Sequence, residues 1–284
     1  MLPLPVEEAI RGIAEDRTSG ASKLGRLALD VMGLAIIEAK GQPEPHMLAE
    51  VARGLSDAQP AMVIVHNVAH LVERLVVEGQ DPRTVLAEVA CELETASERI
   101  ARTFLKIAPD HATIITLSFS ENVLATLRLA HAKGRVDRIH VLESAPGFEG
   151  RSFGRALAKE GLPVTVVGDE TGPSLLTEAS CALVGADSIL RDGSVVNKIG
   201  TEPLARTATE RGKPFFVAGE TLKFDSRYDE SSWPTSWASS PGTGPARARL
   251  FDVTPARFVT TVVTERGTYT PDIIATMLSS RRGD

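Results

Sequence analysis

Residues whose chemistry suits a phosphate group lie where a predicted helix begins. They form the run Asn197-Lys198-Ile199-Gly200-Thr201. Free amides at a helix N-terminus, together with the Lys198 ammonium and the Thr201 hydroxyl, can surround one anion. The run is not a Walker sequence, because its glycine pattern and its residue order differ. Lysines usually lie at the surface, but the position of Lys198 beside a helix start favours phosphate contact.

Four further polar residues lie at the tips of predicted strands. Ser118 and Ser120 follow the first strand, Glu143 ends the second, and Asp187 belongs to the fourth. Ligands of an open parallel sheet bind beyond the carboxyl ends of its strands, so these residues are candidate ligand contacts. Each has a structural alternative. The serines could be helix N-caps, the aspartate could cap or turn the strand end, and the glutamate could only hold a loop.

The elements that must position these residues change in character along the chain. Up to about residue 108, apolar residues recur three and four apart, which predicts helices. From residue 109 onward, short β-branched runs alternate with helical segments, which predicts a mostly parallel sheet covered by helices. We therefore predict an α/β protein with a helical N-terminal domain, 1–108, and a Rossmann-like ligand-binding domain, 109–284.

Six strands are predicted in the second domain. They are Thr113–Leu117, Arg138–Glu143, Pro163–Val167, Cys181–Leu190, Pro214–Ala218 and Phe258–Thr264. The fourth is followed by Asp192-Gly193, a tight-turn signal that predicts a local hairpin before Asn197.

Composition and charge exclude several classes of protein. The chain has 284 residues and a formal net charge of -6, so it offers no basic excess and direct binding of nucleic acid is not expected. Its two cysteines are too few for a disulfide framework and fit a reducing compartment. We detect no signal peptide and no apolar stretch long enough to cross a bilayer. We expect a cytoplasmic protein that does not bind membranes.

A metal site is not expected either. His66 and His70 are four residues apart on a predicted helix, but no glutamate follows His66 and no third ligand is evident. Cys91 and Cys181 fit packed small side chains better than nucleophiles.

Motifs in the second domain resemble one known family. It contains methylthioribose-1-phosphate isomerase, ribose-1,5-bisphosphate isomerase and the alpha, beta and delta subunits of translation initiation factor 2B. The resemblance is carried by Gly185-Ala186-Asp187-Ser188-Ile189, Asp192-Gly193 and Asn197-Lys198-Ile199-Gly200-Thr201. Further similarity lies in Pro214–Ala218, Glu220–Phe224, Phe251–Pro255 and Thr264–Gly267. The helical opening is similar more weakly, through Ser19-Gly20-Ala21 and Leu24-Gly25-Arg26.

The resemblance implies a helical N-terminal domain on a Rossmann-like domain and assembly into homodimers or higher homo-oligomers. It also implies a sugar phosphate or nucleotide held between strand ends, with no cofactor. The ligand-binding residues that we predict are Gly20, Ala21, Ser120, Glu143, Asn197, Lys198, Gly200 and Thr201.

The same resemblance bears on catalysis. In the isomerases of the family a cysteine and an aspartate act as acid and base; Asp187 matches the aspartate, but the cysteine position falls at Ser118. A serine hydroxyl needs a partner base before it can exchange protons usefully. Two arginines expected to clamp phosphate are replaced by Ser19 and Ala145. Arg17 and Arg151 are candidates to substitute for them.

Three functions follow from these features. The leading hypothesis is a regulatory, initiation factor 2B-like protein that binds a phosphorylated sugar or nucleotide. The alternative is an aldose–ketose isomerase acting on a ribose 1-phosphate type of substrate, with Asp187 and Ser118 as catalytic residues. The third is a structural subunit whose pocket is vestigial and whose working surface is an oligomer interface.

Overall fold

The computed structural model describes residues 2–238 and 249–280. The chain divides into two compact units, Met1–Thr95 and Ala96–Asp284. We call them the helical unit and the sheet unit. The predicted α/β class, with helices first and a mostly parallel sheet after them, is confirmed. The domain boundary that the sequence suggests, after residue 108, stays a prediction.

The helical unit contains α1 (Leu4–Glu15), α2 (Ala21–Glu38), α3 (Pro45–Ala58) and α4 (Val63–Val77), and α5 (Pro82–Leu105) runs from it into the sheet unit. Pro45 and Pro82 occupy first helical positions, where a missing N–H breaks no helical hydrogen bond. Gly25 lets α2 approach α4, since a Cβ there would lie 2.9 Å from the Ile64 side chain. None of the described helices is long and apolar enough to cross a membrane.

The sheet unit contains five further helices and eleven strands among the described residues. The helices are α6 (Glu121–Ala132), α7 (Glu149–Lys159), α8 (Gly172–Leu175), α9 (Thr201–Glu210) and α10 (Pro271–Ser279). The strands are β1 (Ala112–Leu117), β2 (Val136–Leu142), β3 (Val164–Val167), β4 (Cys181–Val184), β5 (Ser188–Leu190), β6 (Val195–Lys198), β7 (Phe215–Ala218), β8 (Phe224–Asp225), β9 (Phe251–Thr254), β10 (Thr261–Thr264) and β11 (Gly267–Tyr269).

The larger sheet has seven strands in the order β11-β10-β7-β4-β1-β2-β3. All neighbours in it are parallel except β10 and β11, which are antiparallel. When its parallel strands are numbered along the chain, their spatial order is 3-2-1-4-5-6, the order of a Rossmann fold. That order reverses between β1 and β4, and ligands of such sheets bind in the crevice at the reversal.

A smaller sheet of four strands has the order β8-β5-β6-β9. β5 and β6 are antiparallel and are joined through Asp192-Gly193, so the predicted hairpin is confirmed. Gly193 has a φ of +82°, and a Cβ there would lie 2.5 Å from the Pro271 side chain. A glycine fits this turn for both reasons.

The prediction of one continuous fourth strand, Cys181–Leu190, is wrong. β4 ends at Val184 and β5 begins at Ser188 in the other sheet. Gly185, Ala186 and Asp187 carry the chain from one sheet to the next, and the residues on both sides are buried. The apolar pattern is unbroken, so the sequence does not indicate that the chain passes from one sheet to the other here. The predicted strand Phe258–Thr264 is also too long, because residues 256–258 form a 3-10 turn and β10 begins at Thr261.

Two apolar clusters pack on the larger sheet. Ile114 and Phe216 belong to one cluster, while their chain neighbours Ile115 and Phe215 belong to the other. Because successive side chains of a strand point to opposite faces, the two clusters cover the two faces of the sheet. The first is completed by residues of α6 and α7, and the second by residues of α9 and α10: Val123, Leu127, Phe153, Leu157, Leu204, Ala205, Ile274 and Leu278.

Candidate functional site

The tips of β1 and β4 meet where the strand order reverses, because the two strands are parallel neighbours. Gly185 packs directly on Ser120, since a Cβ at Gly185 would lie 2.6 Å from Ser120 Oγ. Ser120 also caps α6, and its Oγ accepts a hydrogen bond from the Val123 amide at 3.4 Å. The N-cap alternative therefore holds for Ser120, and its ligand contact stays a prediction.

Asp187 follows this contact and is surrounded by charged groups. Burial raises the pKa of its carboxyl to about 6. Lys223 and Lys198 act to lower that pKa, whereas Glu149 and Glu220 act to raise it further. We call these five residues the charged cluster. A carboxyl with a pKa near 6 can donate or accept a proton close to neutral pH.

Lys198 is buried, with 7% of its side chain exposed, so it is not a surface lysine. Its Nζ donates to Glu149 Oε1 at 2.8 Å. Lys198 ends β6 and Glu149 begins α7, so the pair joins two elements of the sheet unit. Glu149 Oε2 is buried and has no hydrogen-bond partner within the described part of the chain. One oxygen of the Glu149 carboxylate therefore has a hydrogen-bond partner and the other has none among the described residues.

Lys223 and Glu220 form a second buried pair. Lys223 Nζ lies 2.9 Å from Glu220 Oε2, and each side chain is 3% exposed. Asn122 Nδ2 donates to the same Glu220 oxygen at 2.8 Å, and Asn122 Oδ1 accepts from Ser97 Oγ at 2.8 Å. A buried ion pair persists only when such hydrogen bonds satisfy its remaining polar atoms. This pair therefore connects the end of β7 to the start of α6.

The start of α9, predicted to bind phosphate, is capped from within the chain. Asp252 Oδ2 accepts hydrogen bonds from the amides of Gly200 at 2.8 Å and Glu202 at 3.2 Å. Asn197 Nδ2 donates to Thr201 Oγ1 at 3.0 Å. Burial raises the pKa of Asp252 to about 6 against the lowering effect of its two amide donors. An internal carboxylate thus already occupies two of the amides expected to meet a ligand.

The predicted ligand role of Asn197, Gly200 and Thr201 stays a prediction. Gly200 has a φ of +101°, which suits a glycine at this helix start. The Thr201 hydroxyl donates to the Lys198 carbonyl at 2.5 Å. These contacts hold the Lys198 backbone in place, so the run positions the lysine whatever else it binds.

The loops after β1 and β2 are held together by hydrogen bonds. The Ser118 amide donates to Ser144 Oγ at 2.7 Å. The Asp169 carboxylate accepts from the amides of Ser144 at 2.7 Å and Ala145 at 2.8 Å. Ser118 and Ser144 have φ values of 61° and 66°, a left-handed conformation that is uncommon outside glycine. Within the described ranges, no carboxylate or imidazole lies at hydrogen-bonding distance from the Ser118 hydroxyl.

Glu143 contacts Arg151, one of the two candidate replacement cations. Arg151 Nε and Nη2 donate to the two Glu143 carboxylate oxygens at 3.2 and 3.1 Å. The same guanidinium lies 4.2 Å from the centre of the Phe148 ring. Glu143 therefore orients an arginine at the tip of β2, and its direct ligand contact stays a prediction.

Gly20 and Ala21 belong to the helical unit, where they form the N-cap and the first residue of α2. Asp16 Oδ1 accepts from the amides of Thr18 at 2.8 Å and Ser19 at 2.9 Å in the preceding turn. Arg17, the other candidate cation, donates to the carbonyls of residues 14 and 16. The ligand contacts predicted at Gly20 and Ala21 stay predictions.

The sequence analysis gave no site role to Asn122, Glu149, Glu220, Lys223 or Asp252, although the last three lie in segments that carry the family resemblance. Glu220 lies two residues beyond β7, so the strand-end rule that selected Asp187 also applied to it. Asp252 lies on β9, a short strand that the pattern missed. Glu149 and Asn122 lie in the first turn of a helix, and only their contacts with distant residues reveal them.

The histidine pair on α4 has contacts of its own. His66 Nδ1 lies 2.9 Å from Ser56 Oγ, and His70 Nδ1 lies 2.8 Å from Glu73 Oε2. Residues 2–238 and 249–280 contain no group of three or more His, Cys, Asp or Glu side chains that could hold a metal ion.

A helical unit followed by a Rossmann-like, mostly parallel sheet defines the class of this protein as α/β. The sequence matches the Initiation factor 2 subunit family over residues 17–271. The chain belongs to this family, and the resemblance drawn from its motifs is confirmed.

Relatives within the family differ in activity. A putative translation initiation factor eIF-2B subunit 2-like protein of Pyrococcus horikoshii is 32% identical over 277 residues, which cover 95% of this chain and 98% of that protein. Ribose 1,5-bisphosphate isomerase of Haloferax volcanii is 31% identical over 255 residues, covering 84% and 79% of the two chains. The crystal structure of the Pyrococcus horikoshii OT3 translation initiation factor eIF-2B matches with a TM-score of 0.82 and 31% identity over 96% of this chain and 100% of that one. Membership alone therefore does not select an activity.

Proposed function

We propose that this protein binds the phosphate group of a small phosphorylated sugar or nucleotide at the charged cluster, and that it regulates rather than catalyses. The observation that carries the proposal is the pair of lysines, Lys198 and Lys223, buried within one cluster at the strand-order reversal. Buried lysines are rare unless an anion pairs with them. Lys223 follows β7 of the larger sheet, beyond the carboxyl ends of its strands, where anionic ligands of Rossmann-like sheets bind. Lys198 is the last residue of β6 in the smaller sheet.

The Lys198–Glu149 pair supports the binding role in a second way. Glu149 is the first residue of α7, where the helix N-terminus favours a negative charge. Its Oε2 is buried and accepts no hydrogen bond from the described residues, so one oxygen of this carboxylate is left unsatisfied. A ligand phosphate carries more acceptor oxygens and can take the Lys198 contact when it binds.

The regulatory role is supported by the surroundings of Ser118. The described residues place no base beside its hydroxyl, and its amide is committed to Ser144 Oγ. Without a base, the hydroxyl does not exchange protons at neutral pH. The position that carries the acid–base cysteine in the isomerases of the family therefore has no equivalent group here.

Calorimetric titration with ribose 5-phosphate tests the binding role. We expect measurable binding, and we expect Lys198→Met to weaken it about tenfold or more, because a charge-assisted contact is lost. Lys133→Met is the matched control, since Lys133 is exposed and follows α6 at the opposite edge of the sheet. Equal affinity in the two variants would contradict the proposal.

One observation favours the isomerase as a second candidate. The pKa of Asp187 is raised to about 6 by burial, which suits a residue that moves protons near neutral pH. Under this function Asp187 exchanges the substrate proton, and Asp187→Asn abolishes turnover while folding survives. Under the regulatory function there is no turnover to lose.

We also infer a homo-oligomer that works in the cytoplasm. The inference rests on the family to which the chain belongs. Sedimentation velocity of the purified protein measures the oligomeric state, and a monomer at all concentrations would contradict it.

A further inference from the structure

Two histidines and a serine come together in the helical unit, on α3 and α4. His66 and His70 are four residues apart on α4, so their side chains lie on the same face of that helix. Their ring centres are 4.3 Å apart. Both rings turn a nitrogen toward one hydroxyl of α3, since Ser56 Oγ lies 2.9 Å from His66 Nδ1 and 3.4 Å from His70 Nε2. The two helices thus bring two imidazoles and a hydroxyl to a single point.

The hydrogens of Ser56 and His70 are directed to other acceptors. Ser56 Oγ donates to the Ala52 carbonyl at 2.7 Å. His70 Nδ1 lies 2.8 Å from Glu73 Oε2, and a carboxylate only accepts, so the ring hydrogen of neutral His70 lies on Nδ1. The lone pairs of Ser56 Oγ and His70 Nε2 therefore face each other at 3.4 Å. A cation between these two atoms satisfies both of them.

The ligand atoms and their spacing suit a transition-metal ion. Imidazole nitrogens suit Zn²⁺, Cu²⁺ and Ni²⁺, whereas Mg²⁺ and Ca²⁺ prefer oxygen ligands. Bonds of about 2.0 to 2.2 Å at a tetrahedral angle place two ligand atoms about 3.4 Å apart, which is the separation of Ser56 Oγ and His70 Nε2. His66 Nδ1, now 2.9 Å from the hydroxyl, needs to move by about half an ångström.

The surroundings of the three side chains favour a positive ion. Ser56 lies in the last turn of α3, where the helix dipole presents its negative end. Histidines that bind metals usually donate their second ring N–H to a carboxylate, as His70 does to Glu73. The side chains of His70 and Glu73 are 40% and 22% exposed, so an ion can enter and water can complete its coordination.

We propose that Ser56, His66 and His70 bind one divalent transition-metal ion of the zinc, copper or nickel type. His70 contributes Nε2, and His66 contributes Nδ1 with its ring hydrogen on Nε2. The Ser56 hydroxyl takes the place of a third His, Cys, Asp or Glu ligand, which the described residues do not supply here. The ion joins the last turn of α3 to α4, and Glu73 positions His70. The sequence did not indicate the site, because its third ligand comes from another helix.

Calorimetric titration of the intact protein with Zn²⁺ tests the proposal. We expect one ion per chain, bound about tenfold or more weakly in His66→Ala and in His70→Ala, because each variant loses a nitrogen ligand. Glu73→Ala should weaken binding about tenfold, as expected for a positioning residue. Glu73→Gln keeps an acceptor for the His70 Nδ1 hydrogen, so it should recover part of that loss. A Glu73→Gln variant that binds no better than Glu73→Ala would overturn the positioning role.

Two further variants serve as controls. His46 is 76% exposed, and Cys91 carries an exposed thiol. His46→Ala and Cys91→Ser should bind Zn²⁺ as the unsubstituted protein does. Zn²⁺ binding that is lost in either control and kept in His70→Ala would overturn the site. The absence of any heat of binding up to about 1 mM Zn²⁺ would overturn it as well.

A spectroscopic measurement keeps the proposal testable even if the histidine variants do not fold. Electron paramagnetic resonance of the unsubstituted protein with one equivalent of Cu²⁺ reports the nitrogen atoms bound to the metal. We expect coupling to two imidazole nitrogens, one from His66 and one from His70. Coupling to one nitrogen or to none would contradict the proposed ligand set.

Discussion

Lys198 Nζ and Glu149 Oε1 lie 2.8 Å apart and join the end of β6 to the start of α7. The lysine is buried and the glutamate is 39% exposed. A ligand anion that reaches Lys198 must therefore share this contact or replace the glutamate. The relationship makes the glutamate a competitor of the ligand and leads to the first prediction.

Glu149→Gln should make the protein less stable without ligand and more responsive to phosphate. Removing the carboxylate leaves the buried Lys198 ammonium uncompensated, and an added anion can then neutralise it. Thermal unfolding in increasing inorganic phosphate measures both effects. Glu160→Gln is the control, because it breaks the Arg128–Glu160 pair at the surface. A phosphate response no larger than that of the unsubstituted protein would contradict the prediction.

Asp187→Asn should stabilise the protein at neutral pH. Burial raises the pKa of Asp187 from 3.8 to about 6, so above pH 6 the folded protein holds a carboxylate that costs on the order of 1 to 3 kcal/mol. The folded state binds the proton more tightly than the unfolded state, so this cost falls as the pH drops from about 6 toward 4. The gain from Asn should fall with it.

Urea unfolding at pH 7 and at pH 5 measures the Asp187 effect. Asp30→Asn is the control, since Asp30 is exposed on α2. A gain in stability that is the same at both pH values would mean that the titration of Asp187 is not its cause.

Asp252→Ala should destabilise the sheet unit by roughly 1 to 2 kcal/mol, because the amides of Gly200 and Glu202 lose their acceptor at the start of α9. Asp252→Asn keeps an acceptor oxygen and should cost less. Chemical unfolding of the two variants measures the difference. An alanine variant as stable as the asparagine variant would show that the cap contributes nothing.

Gly185→Ala should destabilise the protein, since the new Cβ would lie 2.6 Å from Ser120 Oγ and 2.8 Å from Ser120 Cβ. Ser120→Gly removes both contacting atoms, so it should recover part of the loss in the double variant. Gly12→Ala is the control: Gly12 lies within α1 with open space around it, and alanine there should stabilise by about 1 kcal/mol. Additive losses in the Gly185–Ser120 double variant would contradict the close packing of the two strand tips.

Much of the fold could be predicted because its patterns are local. Apolar residues three and four apart, such as Leu24 and Ala28, indicate the helices, and Asp192-Gly193 indicates the hairpin. The crossing at Gly185 and Asp187 could not be predicted, because buried residues on both sides make two short strands resemble one.

Some residues of the candidate site could also be predicted from local patterns, and others could not. Asp187 and Lys198 were found because they follow strands or precede a helix in recognisable motifs. Their partners depend on tertiary contact: Glu149 is 49 residues from Lys198 in the chain. Asp252 meets Gly200 across 52 residues. No local pattern contains such pairings, so the sequence indicated Asn197–Thr201 as a candidate phosphate site without predicting that α9 carries an internal cap.

The most direct test of the account is to record thermal unfolding with ribose phosphates, methylthioribose 1-phosphate and nucleoside monophosphates, and then NMR spectra of each stabilising mixture over time. We predict a rise in unfolding temperature with at least one ligand, lost in Lys198→Met, and spectra that do not change. Conversion of an aldose phosphate to its ketose, abolished by Asp187→Asn, would contradict the regulatory function and establish an isomerase.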